Sequence, residues 1–296
     1  MIELASLAIF QQVAASGSVT RAAQQLGRVQ SNVTTRIQQL EESLGVALFV
    51  REARRMVLTP EGQRLLRYAE PLLSLAEEAE QSLRTQVSRG RLRLGAMEST
   101  AAARLPQPLA QFHRDCPAVQ LSLTTAPSRQ LVEQVLHHQL DAALAAWPAP
   151  DLADPLPLSC VPVFEEALQL LLPLDCEPHQ APRTLAAFAE GCTYRRQGED
   201  WMARTHGAAP MQVLQLQSYH AIVAAVAAGS AVAVVPQAVL ALQRDPLPVR
   251  ALPLPACTTM LVTRAGYDTP ALRHLRTVLQ AMPASGACPR PISSDA

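Results

Sequence analysis

Apolar positions in the first 45 residues recur with helical spacing in three short runs. Leu7, Phe10 and Ala14 share one face of a first helix, which Gly17 ends. Ser18 caps a second that carries Ala22, Ala23 and Leu26 and stops at Gly27. The third covers residues 30–44, with Val33, Ile37, Leu40 and Leu44 on one stripe and Gly45 as its stop. Between 46 and 62 the pattern changes. Val46, Leu48 and Phe49 read as core, three arginines follow, and Val57 and Leu58 close the segment. That predicts a two-stranded wing with a basic tip. Thr59-Pro60-Glu61 is a helix start: a capping hydroxyl, a proline in the first turn and an early acid. The helix should run to about residue 86. Its Leu65, Ala69, Leu72, Ala76, Ala79 and Leu83 alternate four- and three-residue steps, a heptad seam that predicts pairing with a second copy. Pro71 lies inside the seam and predicts a kink.

Ser88-Arg89-Gly90 reads as a hinge, after which strand and helix patterns alternate. The strands are RLRLGA from Arg91, residues 119–126, AALAAW, residues 166–173, 211–217, 231–236 and 258–264. Helices fall around Leu105–Leu109–Phe112, residues 129–138, 221–228 and 270–281. This alternation predicts an α/β domain with a mostly parallel sheet in two lobes. The chain should cross between lobes near residue 160 and return near 264, and residues 283–296 read as a loose tail. Residues 221–242 carry no charge and are long enough to span a bilayer. Gly229-Ser230 and Pro236 interrupt them, so a buried helix, a turn and a buried strand are expected instead.

A chain of 296 residues with 49% hydrophobic and 17% charged residues has enough core for more than one domain. Basic and acidic residues balance at 25 each, which excludes a uniformly basic coat but not a basic end. Every basic charge is arginine. Six cysteines form no C-x-x-C pair, so neither disulfides nor zinc are expected. The start lacks a basic region followed by an apolar block, so the expectation is a cytoplasmic protein without a membrane partner. Cys192 has no cysteine within the next ten residues to resolve it, which argues against redox sensing.

The face of the third helix opposite its apolar stripe carries Ser31, Asn32, Thr35 and Gln38, with Thr34 at the edge. Alone, such a stripe is a solvated surface. After a glycine turn that joins it to a preceding helix, it matches a helix-turn-helix whose small polar groups reach base edges. Arg51, Arg54 and Arg55 at the wing would neutralise phosphates. Three arginines near a turn are as readily a wet loop.

SVTRAAQQL, VQSNVTTRIQQLEESLGVALFVR and RRMVLTPEGQRLL resemble the LysR-type transcriptional regulators almost position by position over residues 4–66. GAMEST, LDAAL and VAAGSAVAVVP fall where that family's later landmarks fall. The resemblance implies a winged helix-turn-helix over 1–59, a dimerising linker helix over 60–87 and an effector domain like a periplasmic binding protein over 88–282. Within the last, lobe I would hold about 91–160 and 265–282, and lobe II about 161–264. It also implies promoter DNA and a small co-inducer as partners, a dimer of dimers, and RNA polymerase as a further partner. No cofactor or catalysis is implied. Carried onto this chain, Gln30, Ser31, Asn32 and Thr34 would face the groove, Arg36 would lie near phosphate or base, and Arg51, Arg54 and Arg55 would be wing arginines. Asn32 stands where alanine is usual, which alters the bases read, and Ala231 where glycine is common.

In two-lobed α/β folds ligands bind beyond the carboxyl ends of strands. Ser99 and Thr100 follow the first strand of the domain, Thr125 and Ser128 flank the end of the next, and Thr193, Tyr194 and Arg195 open a helix. Hydroxyls and helix-start N–H groups suit a carboxylate, and an arginine strengthens that, so a small anionic effector is expected. Helix capping is the plain alternative for each hydroxyl. Residues 91–282 alone would also serve an enzyme or binding protein with a helical arm, or the seam could be a protein-interaction surface. No nucleophile elbow, Walker loop or dinucleotide fingerprint supports the enzyme.

Overall fold

The computed structural model describes residues 2–52, 55–83, 90–149, 156–207 and 210–282. Two compact units divide the chain, Met1–Leu83 and Arg84–Ala296.

In the first unit α1 (Leu4–Ser16), α2 (Val19–Gln25) and α3 (Gln30–Leu44) precede the strands β1 (Phe49–Glu52) and β2 (Arg55–Leu58) and the helix α4 (Pro60–Ser82). The stops fall where expected: Gly17 and Gly45 end α1 and α3 at φ of 60° and 69°, a left-handed conformation that suits glycine. The Ser18 hydroxyl accepts from the Arg21 N–H and caps α2. Leu7, Phe10, Val13, Ala22, Val33, Ile37, Leu40 and Leu48 form a buried core. The Phe10 and Phe49 rings meet at 5.3 Å. Val46, expected in the core, is exposed. The wing is an antiparallel ribbon in which Phe49 faces Leu58 and Glu52 faces Arg55. Its base is fixed to α3 by Glu41, whose Oε1 accepts from the N–H groups of Leu48 at 2.7 Å and Phe49 at 3.2 Å. Thr59 caps α4 by accepting the Gly62 N–H at 2.9 Å and donates to the Ala47 carbonyl at 2.8 Å.

The predicted seam divides. Ala69 is buried and Leu65 half-buried in the unit's own core, whereas Tyr68, Leu72 and Leu75 are exposed and continue the four-three spacing. The expected seam is therefore covered at its start, where α1 packs along α4, and exposed further on at Leu72, Ala79 and Leu83, with Tyr68 and Leu75 beside it. α4 continues through Pro71.

In the second unit the chain forms β3 (Gly90–Ala96), α5 (Glu98–Ala103), α6 (Pro106–Asp115), β4 (Val119–Thr125), α7 (Ser128–Leu136) and β5 (Ala142–Trp147). The long strand β6 (Leu158–Pro173) leads to β7 (Thr184–Ala187), α8 (Thr193–His206), β8 (Gln212–Gln215), α9 (Tyr219–Ala227), β9 (Ala233–Pro236) and α10 (Gln237–Leu240). A second long strand, β10 (Val249–Arg264), returns to α11 (Pro270–Gln280). The main sheet runs β4-β3-β5-β10-β6-β9, and β7 and β8 form a parallel pair joined to the residues before β9 through Leu185 and Val232. The sheet is mixed, which corrects the expectation of a mostly parallel one. β4, β3 and β5 are parallel, but β10 runs antiparallel to both of its neighbours and β6 to β9. At 16 residues each, β6 and β10 are long enough to join both groups of strands. Thr258–Thr263 pair with β5, while Leu168–Leu171 pair with β9.

The apolar run at 221–242 is a buried helix, a turn with Gly229 at φ 78°, and a buried strand. Among the described residues no helix is long and apolar enough to cross a membrane. Residues 84–89, with Ser88 and Arg89 of the expected hinge and the expected end of α4, lie outside the described residues, as does the tail over 283–296.

Glu41→Ala should expose the two wing amides. Hydrogen bonds to a charged acceptor contribute about 2 kcal/mol, so exchange at Leu48 should quicken by roughly 30-fold. Hydrogen exchange on the full chain reads this, and an unchanged Leu48 amide would refute the anchor.

Candidate DNA interface and effector cleft

On α3, Gln30, Ser31, Asn32 and Thr35 are exposed, as the stripe predicted. Gln30 also accepts a hydrogen bond from the Thr20 hydroxyl of α2 at 3.2 Å, which ties the start of α3 to its neighbour. Two predicted residues have other partners. The Thr34 hydroxyl donates to the Gln30 carbonyl at 3.0 Å. Arg36 is half-buried and pairs with Glu3 at 3.3 Å. Arg51 and Arg55 are exposed on the wing. The register pairs Arg51 with Met56 and Arg55 with Glu52, so the two arginines leave opposite faces of the ribbon. Arg54 lies outside the described residues. Arg28, exposed in the turn before α3, adds a charge to this face that lies outside the polar stripe and the wing.

In the second unit a cavity of about 360 Å³ opens beyond β3, β4, β7 and β8. Its walls come from the four segments that follow these strands, including Glu98, Thr125–Ser128, Phe188, Tyr194, Gln215–Gln217 and Tyr219. These segments lie at strand carboxyl ends, where the sequence placed a ligand. Thr125, Ser128 and Tyr194 line the cavity as expected, while Ser99, Thr100 and Thr193 are buried outside its lining. The Ser128 hydroxyl donates to Met97 Sδ and accepts from the Ala146 N–H, both at 3.2 Å. Thr193 donates to the Ala146 carbonyl at 3.3 Å. These two hydroxyls are used to join elements.

Arg195 corrects the sequence reading. Its Nε donates to Glu199 at 2.8 Å, it lies 3.8 Å from Glu190, and it lines a separate depression with Arg129 and Arg196. One step along α8 turns the side chain by a hundred degrees, so with Tyr194 in the cavity Arg195 points elsewhere. The arginine expected to strengthen binding of an anionic effector is therefore absent from the cavity lining. Gln130, Gln215, Gln217, Tyr219 and Glu98 line it instead and were not singled out from the sequence. Glu98 was legible only as part of GAMEST, because nothing local distinguishes a glutamate opening a helix from a dipole partner.

Burial pushes the Tyr194 and Tyr219 phenols well up and the Cys192 thiol up, so all three favour their neutral forms. A raised thiol is a poor nucleophile, against redox use of Cys192. Burial also raises the Glu98 carboxyl, and His220 opposes the shift.

Residues 4–63 match the family description "Bacterial regulatory helix-turn-helix protein, lysR family", and residues 85–284 match "LysR substrate binding domain". The chain belongs to the LysR family of transcriptional regulators. It is 35% identical over 290 residues to the HTH-type transcriptional regulator YusT of Bacillus subtilis, covering 92% of this chain and 93% of that one. It is 33% identical over 273 residues to the regulator SoxR of an Arthrobacter strain, covering 89% and 91%. Two solved structures share the fold: a full-length OxyR variant from Pseudomonas aeruginosa, TM-score 0.70 at 23% identity over 96% of this chain and 99% of that one, and CbnR, described as a LysR family transcriptional regulator, 0.61 at 21% over 94% and 98%. As a LysR-family protein the chain is a DNA-binding regulator with a small-molecule effector domain.

The raised Glu98 carboxyl makes a stability prediction. Its burial costs nothing below the unfolded carboxylate range and weighs fully on the folded state above its own raised value. Glu98→Gln should therefore raise the unfolding temperature of the effector domain at neutral pH. The gain should shrink as the pH falls toward about 4. Calorimetry at several pH values reads this; an equal or lower melting temperature at neutral pH would contradict it.

Proposed function

We propose that Gln30, Ser31, Asn32 and Thr35 read base edges from the major groove, and that Arg28, Arg51 and Arg55 hold phosphates. The carrying observation is a helix whose exposed first turns bear only short or neutral polar groups, beside a ribbon with exposed arginines. Thr34 and Arg36 act on the helix and its N-terminal neighbour before they act on DNA. Residues 1–59 are the DNA-binding part, 60–87 the linker and 88–282 the effector domain.

Tyr68, Leu72 and Leu75 give α4 an exposed apolar row suited to a homodimer, and two dimers would form the tetramer. Each dimer then offers two helices to consecutive major grooves. The cavity beside Thr125, Ser128 and Tyr194 takes the effector, whose binding would shift the balance between arrangements of the lobes. The protein works in the cytoplasm, with RNA polymerase as a further partner.

Gel shifts on the chain's own upstream DNA and on scrambled DNA, each at two salt concentrations, test this reading. Asn32→Ala should lower the preference for the upstream DNA by about 1–3 kcal/mol. Arg55→Ala should weaken binding to both DNAs alike and lower the salt slope by about 1. Wild-type behaviour from both variants would refute the assignment.

A further inference from the structure

We infer that the effector carries a protonated amine, and that its ammonium group seats against Glu98. The inference rests on the cavity's being the effector site. Glu98 is the one residue with a formal charge among the described residues that line it. The chain has no lysine, and Arg195 is held outside by Glu199. An anion placed here would meet a carboxylate with no nearby cation in the lining to offset it.

Glu98 Oε2, Ser99 Oγ and Tyr194 Oη are buried and have no hydrogen-bond partner. Ser99 is 4% exposed and Tyr194 2%. The Ser99 hydroxyl lies beside both phenols. His220 of α9 acts on the Glu98 charge from an exposed position outside the lining. Unpaired buried polar atoms are costly. An ammonium brings three donors and a charge opposite to Glu98, and it carries no acceptor. Phe188 and Tyr219, edge to face at 4.9 Å, add aromatic rings, surfaces that attract cations. Met97 and Leu216 leave room for an apolar remainder.

Three matched probe sets test this on the full chain: neutral L-amino acids, the amines left when each loses its carboxyl group, and the acids left when each loses its amino group. Thermal shifts and calorimetric titrations at millimolar probe read binding. Stabilisation should be confined to probes with an amine, and Glu98→Gln should weaken it by more than about tenfold. If the free amines act as well as the amino acids, the ammonium alone is recognised. If only amino acids act, a carboxylate is read as well, with the ammonium still at Glu98. Binding by the carboxylic acids alone, affinity unchanged in Glu98→Gln, or silence across all three sets would overturn the inference. The probe comparison on wild-type protein does not depend on the variant. The same preparations go through the upstream-DNA gel shift. Specific retardation without any amine response sinks this inference alone, whereas loss of specific retardation sinks the regulator reading.

Discussion

Two strands, β6 and β10, belong to both lobes of the effector domain, and the position of the cavity follows from that constraint. Because β10 pairs with β5 near one end and with the β9 side of β6 near the other, neither strand group can close without the other. The parallel strands β3, β4, β7 and β8 then deliver their carboxyl ends to one opening. Hydrogen bonds reinforce the approach: Thr193 to the Ala146 carbonyl, and the Arg129 N–H to the Gly191 carbonyl at 3.1 Å. Gly191, at φ 85°, has no room for a Cβ, which would come within 2.8 Å of Arg129 Cβ.

Glu166 of β6 forms a buried pair with Arg104, the residue that ends α5. Both guanidinium contacts are 2.9 Å, and both side chains are nearly excluded from water. Such a pair is costly to bury and damaging to break. It holds α5, which carries Ser99 and Thr100, to the strand that both lobes share. The hydroxyls near the cavity are thus positioned by charge pairing as well as by packing.

Local signals in the sequence carried the first unit almost completely. Glycine stops, the Ser18 and Thr59 caps and the stripe at Val33, Ile37 and Leu40 are decided within a few residues of one another, so periodicity alone places them. Long-range choices were less legible. Which strands run antiparallel depends on β10 returning between β5 and β6, and no local pattern records that return. The start of the seam was less legible for a similar reason: Leu65 and Ala69 have heptad spacing, yet they pack into the unit's own core. In the cleft the loops were legible and the side-chain directions were not. Tyr194 and Arg195 are adjacent in sequence, but one faces the cavity and the other a pair of glutamates. That step exchanged an expected arginine for Glu98 as the local charge.

The central claim, that α3 and the wing give this chain sequence-specific DNA recognition, is most directly tested by selecting duplexes from a random pool with the full-length protein. Enrichment of a motif with two related half-sites about one helical turn, or a small multiple of it, apart is expected. A pool that stays random after repeated selection, with binding that only tracks salt, would contradict it.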